Sequence, residues 1–283
     1  MKVFILIENT GNENEYIIEH GLSVLIEING KKILLDGGSS DSFTVNAKRM
    51  GHNLNDIDYC VLSHGHYDHS TGLVKFLEIN KTADIYASKY FDGRYYSGSG
   101  DSIHYIGVPD ELSQNENRIK RIDKIEQIDK GIYLIPHTTQ GLEKIGLSKK
   151  LYKRVENNGE YKYIPDDFCH EQSLVIEENE ELVIFNSCSH GGVENIFKEV
   201  KEALPNKKIK AFVGGLHMKG QKNGIEICTF SDEELIHFSE IIKSENPDAL
   251  YIGHCTGIPA YEKLKNLLKD KIIKIETGMQ FTL

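Results

Sequence analysis

Ser63-His64-Gly65-His66-Tyr67-Asp68-His69 is the stretch from which the rest of this chain is read. Three of the twelve histidines and one aspartate fall within six residues, directly after the apolar run Tyr59–Ser63. Imidazole and carboxylate are the usual ligands of zinc and of borderline divalent ions such as iron or manganese. In extended or turning backbone, His64 and His66 can project to one side and share an ion. Asp68 and His69 are displaced along the chain and can turn towards a second ion. Gly65 permits the tight path between them. Crowding this many imidazoles together without a metal is electrostatically awkward, so a chance-enriched polar loop is the weaker reading.

Four neighbouring residues do not fill two coordination spheres, and the missing partners are sought at the ends of other strands. Ligand sites of α/β sheets gather at the carboxyl ends of strands. His190 follows the run Leu182–Asn186 in Asn186-Ser187-Cys188-Ser189-His190-Gly191-Gly192. His217 follows Ile209–Val213 in Gly214-Gly215-Leu216-His217, and His254 follows Ala249–Ile252 in Gly253-His254-Cys255-Thr256-Gly257. One histidine after one strand is ordinarily structural; the same device three times, beside the cluster, is a constellation. His20, His52, His104, His137 and His237 have no such logic and are read as structural. Asp36, in Leu35-Asp36-Gly37-Gly38, is a candidate to hold a ligand histidine by its other ring nitrogen.

Working outward, short β-rich runs alternate with helical patterns, which argues an α/β architecture. Val3–Ile7, Leu22–Ile28 and Lys32–Asp36 read as an opening meander. Asn29-Gly30 forms its type I′ hairpin turn, where both central residues take positive φ. Later units run strand, sharp turn, helix: apolar residues fall at helical spacing over Leu73–Ile79 and again at Val193, Ile196, Phe197, Val200 and Leu204. Ser231 with Glu234 makes a capping box, and Pro259 suits a first helical turn. Ile272–Ile275 and Met279–Leu283 read as the last strands. From about Asp92 to Asp167 the sequence is charged, weakly periodic and rich in Gly turns. It reads as an irregular insertion on the surface, with a substrate-covering lid as the alternative. The whole is expected to be a single domain over 1–283.

With 283 residues, 39% hydrophobic and 27% charged, the chain has the make-up of a folded globular protein. A formal charge of −10 opposes non-specific nucleic-acid binding and docking on anionic lipid. No apolar run approaches the roughly 18 residues that span a bilayer. MKVFILIENTGNENE reads as a first strand, not a secretory signal. Five scattered cysteines, never spaced CxxC, make a disulfide scaffold unlikely and a reducing cytoplasm the expected compartment. The basic runs Arg118–Arg121 and Lys149–Arg154 lie among acidic residues and read as solvated faces. No phosphate-cradling loop, dinucleotide fingerprint or nucleophile elbow is present.

HGHYDH resembles the HxHxDH signature of the metallo-β-lactamase superfamily. The early hairpin ending in Leu35-Asp36-Gly37-Gly38, the downstream histidines and the chain length fit that resemblance, which extends over nearly the whole chain. More narrowly, five stretches are similar to one subgroup: His20-Gly21-Leu22-Ser23, Asn46-Ala47, Cys188-Ser189-His190-Gly191-Gly192-Val193-Glu194-Asn195-Ile196, Gly214-Gly215-Leu216-His217 and His254-Cys255-Thr256-Gly257. That subgroup is the 7,8-dihydropterin-6-methyl-4-(β-D-ribofuranosyl)aminobenzene-5′-phosphate synthase-like proteins, often labelled metal-dependent hydrolases. The resemblance implies a four-layer αβ/βα sandwich with a dinuclear site at the edge between two sheets. It places His64 and His66 on the first metal, and Asp68, His69 and His254 on the second. By the superfamily pattern His170 would be the third ligand of the first metal, and Cys188 stands where a bridging aspartate is expected. Strand-end geometry and the Cys-Ser-His run favour His190 over His170. The missing bridging carboxylate is a departure: a thiolate at Cys188 would soften the site towards zinc, and otherwise the second ion is weak or absent. His217 is read as a substrate contact, with an extra ligand as the alternative.

The chemistry expected of such a site is metal-assisted hydrolysis or group transfer on a small, anionic substrate, phosphate- or pterin-related if the subgroup is a guide. A divalent ion brings the pKa of bound water from about 15.7 towards 7. Asp68, besides being a ligand, is placed to hold the attacking water and carry its proton. One or two divalent ions are expected, zinc before iron or manganese. The alternatives are an iron-dependent redox enzyme of the same superfamily and a non-catalytic metal- or ligand-binding module.

Overall fold

The computed structural model describes residues 1–283. Two seven-stranded sheets carry the molecule. The first runs, in spatial order, Gln280–Thr282, Lys2–Ile7, Ser23–Ile28, Lys31–Leu35, Tyr59–Val61, Ile85–Ser88 and Ile119–Ile122. The second runs Ile272–Lys274, Ala249–Ile252, Lys208–Gly214, Glu181–Asn186, Gln172–Glu178, Ile132–Pro136 and Glu126–Asp129.

Strand alternation builds the layers. Side chains of a strand point to opposite faces in turn. Val3 and Ile5, with Val24, Ile26, Ile33 and Leu35, face Leu174, Ile176, Val183, Phe185, Ala211 and Val213 of the other sheet, forming the central core. Their neighbours Leu6, Leu25 and Leu34 point outward to Phe43 and Ala47 of the helix Ser42–Arg49 and to Leu73, Phe76 and Leu77 of the helix Tyr67–Ile79. On the far side, Ile184, Phe212 and Leu250 meet Ile196, Phe197 and Val200 of Val193–Ala203, Phe238 and Ile242 of Asp232–Glu245, and Leu264 and Leu268 of Ile258–Leu268. The result is a four-layer αβ/βα sandwich, each buried aliphatic or aromatic side chain contributing about 1.5–3 kcal/mol of transfer free energy.

Each sheet is half antiparallel and half parallel. Lys31–Leu35, Tyr59–Val61, Ile85–Ser88 and Ile119–Ile122 run parallel, as do Glu181–Asn186, Lys208–Gly214, Ala249–Ile252 and Ile272–Lys274. Register aligns their carboxyl ends: Asn186 pairs with Gly214, Gly214 with Ile252, and Leu35 with Val61. Chain segments leaving those strands therefore emerge along one edge of the sandwich.

Local signals match the backbone closely. Asn29 (φ 51°) and Gly30 (φ 77°) form the hairpin turn, and the Ser231–Glu234 capping box is made in both directions. Two expectations need correction. The helix read from Leu73 begins at Tyr67, so Asp68 and His69 lie in its first turn; that turn is polar, and periodicity shows only where the core begins. The stretch 92–167 is not irregular throughout. Ile119–Ile122 is the edge of the first sheet, and Glu126–Asp129 with Ile132–Pro136 belongs to the second. Tyr95–Ser97, His104–Tyr105, Leu151–Asn157 and Glu160–Pro165 form a separate four-stranded antiparallel sheet. The edge strands escaped notice because Ile119–Ile122 buries only its two terminal isoleucines.

Candidate metal centre

His64, His66, Asp68, His69, His190, His254 and Cys188, drawn from three segments, meet at the aligned strand ends, and all are buried. Gly65 is required for space rather than for φ: a Cβ there would overlap the carbonyl oxygen of Phe91.

The hydrogen bonds on the outer nitrogens fix which way each ring faces. Asp36, fully buried and in the left-handed region at φ 60°, is the anchor. Its Oδ1 accepts the Ser63 N–H at 2.7 Å, and its Oδ2 accepts the hydroxyls of Ser63 and Ser187, both at 2.7 Å, and Nδ1–H of His69 at 2.8 Å. Because the Ser63 hydroxyl donates to Asp36, its oxygen receives Nδ1–H of His64, 2.8 Å away. His254 is likewise held through Nδ1 by Asn9 Oδ1 at 3.1 Å, while its backbone N–H donates to Glu8. His64, His69 and His254 therefore all turn Nε2 inward. Nε2 of His69 and of His254 lie 3.1 Å apart, and Nε2 of His64 and of His190 lie 3.3 Å apart.

Two overlapping donor sets result. Ring nitrogens of His64, His66 and His190 lie within 4.8 Å of one another and could hold one ion. Asp68 Oδ2 is 3.6 Å from Nε2 of His69 and 3.4 Å from Nε2 of His254, and these three could hold a second. Cys188 Sγ, 3.3 Å from Nε2 of His69, lies between the sets and also groups with His64.

Electrostatics favour a cation here. Burial, reinforced by the neighbouring imidazoles, pushes His64 and His190 well below the ordinary histidine range and His66 down to about 3, leaving neutral lone pairs. For His69, burial is outweighed by Asp68 and Asp36, which raise it to about 9. Asp68 is held well below the usual carboxylate range: burial opposes its charge, but His69, His20 and His254 more than compensate. Nε2 of His66 and Nδ1 of His190 are buried without any hydrogen-bond partner. Ring nitrogens facing each other at 3.1–3.3 Å, around orphaned nitrogens and a carboxylate, are complementary to a divalent ion.

His170 is not a ligand in this arrangement. Its Nδ1 accepts the Gly65 N–H at 3.0 Å and its Nε2–H donates to Asp166 Oδ2 at 3.0 Å, so both nitrogens are spent bracing the His64–His66 loop. His217 packs its ring, tilted by 53°, 4.2 Å from that of His190, with a buried, unpartnered Nδ1, and groups with Cys188 and His190.

His20, read as structural, reaches the site. Its half-exposed ring places Nε2 3.1 Å from Asp68 Oδ2 and stacks 5.1 Å from His254. Its only signal was the His20-Gly21 step: a Cβ at Gly21 would crowd the Asp68 carbonyl. Also missed were Glu8, Asn9, Asp166 and a bracing cluster behind His190. There Glu171 accepts the backbone N–H groups of His190 (2.9 Å) and Gly191 (3.1 Å). His137 is clamped between Glu171 (2.5 Å) and Glu199 (2.7 Å). Phe168 lies stacked on His190, and Tyr95, from the separate small sheet, packs 3.9 Å from His170. The basic runs are spent elsewhere: Arg121 pairs with Asp92 and Glu116, and Lys153 with Asp167.

Comparison with known proteins agrees with this geometry. Residues 18–147 match the sequence model described as the metallo-beta-lactamase superfamily. A 7,8-dihydropterin-6-methyl-4-(beta-D-ribofuranosyl)-aminobenzene-5′-phosphate synthase of Methanocaldococcus jannaschii is 27% identical, covering 98% of this chain and 95% of its own. An uncharacterized protein of the same organism, MJ0448, is 28% identical over 93% of each chain. Among solved structures, Tm1679, a metal-dependent hydrolase of the beta-lactamase superfamily, superposes with a TM-score of 0.81 at 28% identity, covering 100% of this chain and 99% of its own.

Proposed function

We propose that this chain, a member of the metallo-β-lactamase superfamily, is a metal-dependent hydrolase or group-transfer enzyme acting on a small anionic substrate. The observation that carries the reading is the inward convergence of Nε2 atoms, 3.1 and 3.3 Å apart, each ring oriented by a hydrogen bond on its far side or by its backbone. His64, His66 and His190 would hold one ion; Asp68, His69 and His254, with Cys188, a second. Divalent ions held there supply an acidified water and a Lewis acid.

The protein's own groups do the rest. Asp36 orients His69 directly and His64 through Ser63, as an outer hydrogen-bond partner of a metal-binding imidazole does. Asp68 presents the one carboxylate among the donors, placed to orient the nucleophile and take its proton. His20, half exposed and 3.1 Å away, links Asp68 to solvent. The unpartnered Nδ1 of His217 is a donor or acceptor for the substrate. For the substrate class, support comes from the relative of near-equal length whose name is a dihydropterin-linked phosphate synthase. A phosphate or pterin-linked phosphate ester is accordingly the first class to try.

Purified protein reconstituted with zinc, manganese or ferrous ion should turn over at least one member of a panel of phosphomonoesters, phosphodiesters, thioesters, lactones and carboxylic esters. The His66→Ala protein should lose more than the about 10–100-fold that removing an outer hydrogen-bond partner costs. Equal rates for the two proteins across the panel would leave only a binding module.

A further inference from the structure

The small sheet built by Tyr95–Ser97, His104–Tyr105, Leu151–Asn157 and Glu160–Pro165 has an inner and an outer face. The inner face packs Tyr95 and Leu151 with Ile106, Leu142 and Phe168 into a core of its own. Side chains alternate along a strand, so the register gathers a second set on the outer side. Arg154 pairs with Tyr163, Glu156 with Tyr161, Tyr152 with Tyr96, and Tyr96 with Tyr105. The contacts agree. The rings of Tyr96 and Tyr163 lie 4.8 Å apart and those of Tyr96 and Tyr105 5.4 Å. The Arg154 guanidinium lies 4.4 Å from the Tyr161 ring and 5.9 Å from that of Tyr96. Nothing in the chain shields the outermost rings: Tyr161 is 61% exposed and Tyr163 47%.

Tyrosine and arginine are the residues that protein interfaces collect, and they dominate interface energetics. The charges on this face are also unspent. Arg94 pairs with Asp110 and Lys153 with Asp167, but Arg154 and Glu156 have no ion-pair partner in the chain. The face is complementary to itself. Let two copies stack face to face about a two-fold axis that crosses the strand at Val155. The strand is reversed, so Arg154 of each copy lies over Glu156 of the other. Because Arg154 pairs with Tyr163 and Glu156 with Tyr161, the same axis lays Tyr161 of each copy over Tyr163 of the other. One operation matches both the charges and the aromatic rows. Stacked sheets lie about 10 Å apart, a gap that interdigitated tyrosines fill.

We propose that the tyrosine face is where two copies of this chain meet, in an isologous pair centred on Val155. An unrelated partner would need no such symmetry; opposite charges two residues apart about a point fit a second copy. The face measures about 20 Å along the strands and about 15 Å across them. That is less than the roughly 800 Å² per partner of a standard interface, so the pair is weak and concentration-dependent. It is also independent of the chemistry. The inner face is the one towards the metal pocket, with Tyr95 packed 3.9 Å from His170, and pairing uses the other.

Sedimentation velocity on the whole chain over about 1–200 µM should show a monomer–dimer equilibrium with a dissociation constant on the order of 10 µM, as an interface below standard size gives. A chain that stays monomeric throughout overturns the proposal. Arg154→Glu and Glu156→Arg should each weaken pairing by about tenfold or more, because each sets like charges against one another. The protein carrying both exchanges restores the match and should pair within about threefold of wild type. Single exchanges without effect, or a double exchange that remains monomeric, overturn the proposal. Should an exchange not fold, the wild type decides by itself. Hydroxyl-radical labelling of Tyr161 and Tyr163 should fall as concentration rises through the transition, while that of Tyr90, exposed but outside the sheet, stays level. A dimer that leaves Tyr161 and Tyr163 fully reactive meets through another surface and overturns the proposal.

Discussion

Two buried polar clusters lie on either side of the Ser189–Gly192 loop and are built on opposite principles. In the bracing cluster every charge has its partner. His137 sits between Glu171 and Glu199, and Oε1 of Glu199 takes three further hydrogen bonds from Thr138 and Thr139, each at 2.8 Å. The result is one cation between two anions: His137 is raised to about 10 and Glu199 drops to about 2, both against the pull of burial. In the pocket, by contrast, Nε2 of His64 and of His190 face each other at 3.3 Å, and Nε2 of His66 and Nδ1 of His190 have no partner. The first cluster completes itself with a proton. The second is complete only with a metal ion, and Glu171 joins them by holding the backbone of His190.

The sharpest way to break that contrast is to damage the self-sufficient side. His137→Ala strands two buried carboxylates, and removing one partner of a buried charge network costs about 3–5 kcal/mol. Chemical denaturation should show a loss of that size with or without zinc present, and a loss under about 1 kcal/mol would mean the network is not the brace described. The pocket should behave the other way. Zinc at about 100 times its dissociation constant should stabilise the wild type by about 2.7 kcal/mol, and His64→Ala should abolish most of that gain while leaving the metal-free stability little changed. A metal-free variant as unstable as His137→Ala would erase the distinction between the two clusters. Smaller still is Asp36→Asn. The amide keeps the shape but weakens the acceptor that orients His69 and, through Ser63, His64. Zinc competition with a chromophoric chelator should show affinity down by about 10–100-fold; unchanged affinity would deny Asp36 its orienting part.

What the sequence disclosed follows the same division. The pocket was legible because its donors are either contiguous, as in His64–His69, or repeat one device at strand ends, as with His190 and His254; the carboxylate serving both His64 and His69 sits at the end of a recognisable hairpin. The α/β alternation was legible because its strands and helices are periodic where they meet the core, whereas the four-layer sandwich was implied by the resemblance that HGHYDH carries. The bracing cluster was not, since His137 meets Glu171 and Glu199 at sequence separations of 34 and 62, with no pattern linking them. His20 was missed for the same reason: it finds Asp68 only through the close approach at Gly21. His170 illustrates the converse limit. A histidine near the right strand pair cannot be told from a ligand until the partners of both ring nitrogens are known, and here they are Gly65 and Asp166.

The gentlest test uses pH alone. A histidine whose folded pKa is about 10 binds a proton that the unfolded chain releases near 6.5. Its contribution is therefore complete below about pH 6.5, declines as pH rises, and is gone above about 10. Between those limits the slope is at most about 1.4 kcal/mol per pH unit for one proton. Glu199 acts at the other end: its depressed pKa gives stability that is present above the ordinary glutamate range and is lost only as pH falls towards about 2. Between pH 7 and 8, then, zinc-loaded wild type should lose stability with a slope that His137→Gln lacks, because the variant has no proton to release. Equal slopes in the two proteins would place a neutral His137 between its glutamates, and the bracing cluster would then be short of a charge just as the pocket is.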